Sequence, residues 1–218
     1  MTALQAKHRL LQHAVLACVL ISVLLFVIAA AMYPGGSLAD PHSVGFVWTK
    51  NFFSNLFQET AINGVDNPGR VWALFAMAIH CIGDGLFFIR MSTVITEKHA
   101  TRVLRVIGYG NIAFNFMIAT PLHDAMVTIS STLSLLGLFY ITVFVLRSRL
   151  HFLKVCCVAC MLLFYYTLFL YGAGDWGLLA VMQKVALVCS ALLTLGLTYG
   201  TKAGDLVNRG KVPTHRST

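Results

Sequence analysis

Long apolar runs alternate with short polar breaks along the chain. Six runs approach the ~20 residues that a helix needs to cross a bilayer, at about 14–33, 71–91, 103–122, 125–146, 152–171 and 178–199. The fourth carries no charge, and the second, third, fifth and sixth are each interrupted by a few charged or strongly polar residues. The pattern predicts an all-α, polytopic membrane protein: one transmembrane domain of six helices over 14–200, an N-terminal tail over 1–13 and a C-terminal tail over 201–218. Only one connection is long, 34–70. "YPGGS" opens it and "NGVDNPGR" closes it, both rich in the residues that turns require.

The middle of that connection is too apolar for a solvated loop. In "FVWTKNFFSNLF", a helical winding puts Phe46, Trp48, Phe52, Phe53, Leu56 and Phe57 on one half-cylinder. Lys50, Asn51, Ser54, Asn55 and Gln58 take the other. This predicts an amphipathic helix over about 46–58, with Trp48, Phe52, Phe53 and Leu56 buried and Lys50, Asn51 and Asn55 wetter. Such a helix lies in the headgroup plane or caps the bundle. A single basic residue, Lys50, is sparse for a membrane-surface binder and favours the cap.

Composition agrees with the pattern. Of 218 residues 58% are hydrophobic and 11% charged, with a mean hydropathy of +0.78; soluble domains carry roughly twice that charged fraction. The net charge of +8 reflects topology rather than nucleic-acid binding. Lys7 and Arg9 precede the first run; Arg90, Lys98, Arg102 and Arg105 flank the second short connection. Arg147, Arg149 and Lys154 fill the fourth connection, and Lys202, Arg209, Lys211 and Arg216 follow the sixth run. The alternate segments hold Lys50 and Arg70 against Asp40, Glu59, Asp66, Asp124 and Asp175. By the positive-inside rule both termini are cytoplasmic and 34–70 is extracytoplasmic.

Two processing signals are weighed and set aside. Ala29-Ala30-Ala31 could end a signal peptide, but the apolar run continues through Met32 and Tyr33 to spanning length. Losing it would also spoil the charge alternation. Cys18 in "VLAC" has too little apolar sequence before it for a lipoprotein box. All six cysteines fall within the apolar runs, including Cys157 and Cys160 of a C-x-x-C. They are read as small packed hydrophobes, with no disulfide framework.

Ionisable and amide side chains inside the runs are the candidate chemistry, because they are costly in lipid and seldom face it. His80 and Asp84 are four apart on one face of the second run, His80 near the midplane. Asn111 and Asn115 repeat that spacing in the third, and Ser130 and Ser134 in the fourth. His123 and Asp124 open the fourth run; Tyr165 and Tyr166 sit in the outer half of the fifth. Gln183 and Lys184 lie about two turns into the sixth. The expected ligand-binding set is Asn51, Ser54, His80, Asp84, Asn111, Asn115, His123, Asp124 and Lys184, converging under the cap.

"YPGG", "FVWTKNFFSNLF" and "NPGRVWALFAM" together resemble the opening of a six-helix membrane family, domain of unknown function nine-nine-eight. "PLHDAMVTISSTLSLLG" resembles that family's later His-led helix. More distantly the chain is similar to the Frag/DRAM/Sfk superfamily of lipid-associated membrane proteins. The resemblance covers about residues 30–145, and Asn55 stands where the family carries an acidic residue. It implies a six-helix fold and a location near lipid, and no reaction.

The leading expectation is a lipid or other amphiphile bound in an outer-leaflet polar pocket between helices. The alternative is an intramembrane hydrolase or acyl transferase using His80, Asp84, His123, Asp124 and Ser54. Zinc hydrolysis needs three protein ligands and an open position. Only His80 and His123 lie at a suitable depth, so no metal or other cofactor is expected. Ser54 lacks any nucleophile-elbow context. A small proton-coupled transporter centred on Asp84 is the third expectation. Membrane lipid is the expected partner; nucleic acid is not. Gly83 and Gly85 flank Asp84 and allow another helix to approach closely, and small-residue helix faces in general suit a homo-oligomer.

Overall fold

A computed structural model describes residues 3–117, 120, 122–202 and 204–206. Among them six α-helices follow in order: α1 Ala3–Ala31, α2 Arg70–Val94, α3 Lys98–Met117, α4 His123–Leu146, α5 His151–Ala173 and α6 Trp176–Gly200. Extended structure among the described residues is limited to two isolated bridges in the long connection, Gly35 with Val44 and Thr60 with Asp66. The protein is therefore all-α. The helices match the apolar runs to within a few residues, except that α1 begins eleven residues before the predicted span.

Among the described residues five helices are long and apolar enough to cross a membrane, and α3 as described is not one of them. Its basic residues, Lys98, Arg102 and Arg105, occupy its first two turns and leave the rest uncharged, with Asn111 and Asn115 among apolar residues. The connections between α2 and α6 are short, so successive helices run antiparallel and pack in sequence, and α6 returns against α1 and α2. Gly174, with φ of 72°, ends α5 in the left-handed conformation that a Cβ disfavours, and the chain turns directly into α6.

α2 and α3 meet unusually closely. A Cβ on Gly85 would lie 2.7 Å from the Gly108 carbonyl oxygen, and one on Gly108 would lie 2.8 Å from that of Gly85. This backbone approach brings neighbouring side chains of the two helices within hydrogen-bonding range. Gly83 faces Cys18 of α1. The small-residue faces of α2 are thus filled within the chain.

Two larger apolar clusters divide the bundle, and a smaller one joins Phe52 to Leu170, Leu179 and Ala180. One, at the loop end, joins Phe26, Ala29 and Tyr33 to Leu56, Phe57, Ala73 and Met77. The other fills the opposite half with Phe87, Phe88, Met91, Leu104, Ile107, Ile141 and Leu197.

The long connection departs from the expected continuous helix over 46–58. Turns occupy 48–50, and a short 3₁₀ helix spans Phe53–Phe57. The reason is visible at Asn51. Its side chain is fully buried (0% exposed), accepts from Val47 N–H at 2.8 Å and donates to the Gly36 carbonyl at 2.6 Å. These bonds fold the segment back on the start of the connection. The expected wet face is correspondingly wrong at Asn51, and the expected burial fails at Trp48, which is 48% exposed. Leu56 and Phe52 are buried as the pattern requires.

Candidate functional site

Asn67, which the sequence presents only as a turn residue, fastens the far end of the loop. Its amide donates to the Leu56 and Gln58 carbonyls and accepts from Gly69 N–H, at 3.0–3.1 Å. Arg70, at the first turn of α2, donates to the Phe57 carbonyl at 3.0 Å and pairs with Glu59 at 2.8 Å. With both ends pinned, the aromatic segment between them lies against α6.

That contact is polar as well as aromatic. Gln183 Oε1 accepts from Phe53 N–H at 3.0 Å. The Lys184 ammonium donates to the Asn51 carbonyl, and to the Ala180 carbonyl at 2.7 Å. It also stands 5.6 and 5.7 Å from the ring centroids of Phe46 and Phe53. A desolvated cation–π contact contributes about 2 kcal/mol. Among the described residues no carboxylate lies within ion-pairing distance of it. Counting ~1.5 Å per residue from Trp176, Lys184 is about 12 Å into the bundle from the loop end.

A second polar group lies deeper, where α2, α3 and α4 meet. Asn111 Nδ2 donates to Asp84 Oδ2 at 2.8 Å and to Ser134 Oγ at 3.0 Å. Asn115 Nδ2 reaches the same carboxylate oxygen at 3.4 Å. His80 stands one turn from Asp84 toward the loop, within electrostatic reach of it. Asp84 is about 21 Å along α2 from Arg70 and about 15 Å from Val94 at ~1.5 Å per residue. An aspartate at a helix centre costs about 2.5–3.5 kcal/mol on insertion scales. Hydrogen bonds to a charged group contribute about 1.5–3 kcal/mol each, so two amide donors are enough to offset that cost.

The sequence-expected residues therefore separate into two places. Asp84, Asn111 and Asn115 come together near mid-bundle with Ser134, while Lys184 belongs to the loop end with Asn51. Asn51 uses its side chain on loop bonds, and its carbonyl on Lys184. Ser54 is half-buried in the 3₁₀ helix. α4 begins at His123, but the side chains of His123 and Asp124 lie outside the described residues. Among the described residues no group of three or more His, Cys, Asp or Glu converges to hold a metal ion. The cysteines are free thiols.

Arg90 has a role that sequence reasoning missed. Counted there as a charge beside a short connection, it is 2% exposed. Its guanidinium donates to the Thr201 carbonyl at 2.9 Å and to Thr201 Oγ1 at 3.4 Å. It thus caps the end of α6 from inside α2. Nothing in one sequence marks which of several basic residues at a membrane boundary turns inward.

The architecture is that of a multi-pass helical membrane protein, by the length and apolar composition of five helices. No family model, curated protein or solved structure matches the chain.

Proposed function

We propose that the chain crosses the membrane six times, with both termini cytoplasmic, and binds an anionic phospholipid or similar amphiphile under its extracytoplasmic loop. The sixth crossing is α3. It packs between α2 and α4, its 20 residues reach about 30 Å, and its charges sit at the end where lysine and arginine snorkel. In this reading the basic connections all face the cytoplasm.

Lys184 is the observation that carries the lipid reading. An ammonium has three donors; two go to the Asn51 and Ala180 carbonyls, and neither acceptor neutralises its charge. A phosphate or carboxylate oxygen on the third donor would supply a charge-assisted bond and the missing negative charge. Beyond it, Val185, Val188 and Leu192 present exposed apolar surface along α6 for acyl chains. The resemblance to lipid-associated membrane families fits the same reading. The acyl-transfer alternative lacks comparable support, because Ser54 is in the loop while Asp84 is about 21 Å down α2.

The test is the lipid content of purified wild-type protein and of Lys184→Gln, by mass spectrometry. Glutamine retains an N–H for the Asn51 carbonyl and removes the charge. Wild type should retain anionic phospholipid through purification, and the variant should lose about tenfold in retention, the equivalent of ~1.4 kcal/mol. An identical anionic-lipid content in both proteins overturns the proposal.

A further inference from the structure

Three helices each carry a pair of polar residues one turn apart: His80 and Asp84 in α2, Asn111 and Asn115 in α3, Ser130 and Ser134 in α4. Hydrogen bonds join Asp84, Asn111, Asn115 and Ser134, and helical spacing puts His80 and Ser130 one turn nearer the loop on the same faces. Because α3 runs opposite to its neighbours, the pairs form two levels. Asp84, Asn111 and Ser134 make the level farther from the loop, and they are joined by hydrogen bonds. His80, Asn115 and Ser130 make the nearer one.

The hydrogen bonds do not use up this junction. Asn111 is 0% exposed, both of its amide N–H bonds are taken, and its Oδ1 has no donor partner among the described residues. Reversing the amide is no remedy, since it would set a carbonyl oxygen against the Asp84 carboxylate. Ser130, 2% exposed, also lacks any partner for Oγ among the described residues, although a helical serine has a backbone carbonyl one turn back within reach. Buried polar atoms without partners are rare because each forfeits its hydration. The unfilled capacity here is on oxygen, an amide carbonyl and a hydroxyl whose lone pairs are free, beside one carboxylate.

From this geometry we infer a binding site for a small monovalent cation, Na⁺, with oxygens of Asp84, Asn111, Ser130 and Ser134 as its ligands. Hard oxygen donors without thiolate select alkali and alkaline-earth ions over soft metals. Charge decides between those two groups. One carboxylate and one monovalent ion make a neutral unit, whereas a divalent ion leaves an uncompensated positive charge in the bilayer interior. The site does not rest on the lipid reading, since it shares no residue with Lys184.

The experiment is thermal unfolding of the purified full chain in detergent as NaCl replaces choline chloride at constant ionic strength, with ²²Na⁺ equilibrium binding alongside. Binding to the folded state alone raises Tm with ion concentration. Wild type should show a saturable rise and about one ²²Na⁺ per chain, with K⁺ and Ca²⁺ giving less. Ser130→Ala should weaken apparent affinity about tenfold, the loss of one ligand. Asp84→Asn, nearly isosteric, should fold and lose the Na⁺ response; if it fails to fold, Ser130→Ala and Ser134→Ala carry the test. Lys184→Gln should keep the Na⁺ response while losing lipid, so failure of one inference is distinguishable from failure of the other. A wild-type Tm indifferent to Na⁺ with no ²²Na⁺ bound, an equal or larger response to Ca²⁺, or stabilisation by acid alone would each overturn the cation site.

Discussion

Arg90 and Asn51 show how much a single side chain decides in this bundle. Arg90 gives its guanidinium to the carbonyl and hydroxyl of Thr201 and so closes the last turn of α6. Arg90→Ala should destabilise the protein by on the order of 3 kcal/mol, since buried acceptors then lose their donor. Arg90→Lys should recover only part of that, because an ammonium lacks the planar fork. Thermal or denaturant unfolding in detergent measures both, and an alanine variant as stable as wild type would show that α6 needs no such cap. Asn51 makes a comparable contribution in the loop, where its side chain joins Val47 to Gly36. Asn51→Ala should loosen the loop and increase protease cleavage between Pro34 and Arg70, while α1 to α6 persist by circular dichroism. Unchanged cleavage would mean that the aromatic contacts hold the loop without it.

At the scale of the elements, the pairing of α2 with α3 depends on the absence of side chains. A Cβ on Gly85 would lie 2.4 Å from Ile112 Cγ1 and 2.7 Å from a backbone oxygen that cannot move aside. Gly85→Val should push the helices apart, costing about 1–3 kcal/mol or more as overpacking does. It should also draw Asp84 away from Asn111. Gly172→Val is the matching control, because no atom lies within 4 Å of the added Cβ. A Tm for Gly85→Val equal to that of Gly172→Val would contradict the close packing. The loop differs from the transmembrane pairs, since its contact with α6 is made by Lys184, Gln183 and aromatic faces rather than by a continuous helical seam.

For the whole molecule, the distribution of lysine and arginine makes a prediction about sidedness. A cysteine introduced at Asn63, an exposed loop position, should react with a membrane-impermeant maleimide from outside intact cells. One at Lys202, also exposed, should react only after the membrane is opened. The reverse pattern would invert the topology and remove the outer-leaflet placement of Lys184. The six native cysteines lie within helices that the bilayer covers in this arrangement, so background labelling should be low.

The number of helices and most of their bounds were legible in the sequence because spanning length and apolar composition are properties of consecutive residues; the polar first turns of α1 and α3, which begin eleven and five residues before their apolar runs, were not. The four-residue spacings in α2, α3 and α4 were legible for the same reason: helical periodicity alone puts His80 with Asp84, Asn111 with Asn115 and Ser130 with Ser134. Which pairs meet was not legible. That depends on the Gly85–Gly108 approach and on the antiparallel levels of three helices, both set by packing. The loop was misread where a long-range bond competes with periodicity. Its aromatic pattern suits a helix, yet Asn51 bonds to Val47 and to Gly36, fifteen residues back, and folds the segment onto the start of the connection. Tertiary contact likewise decided that Lys184 meets carbonyls and rings while Asp84 meets two amides, because the partner of a buried charge is chosen by distance in space.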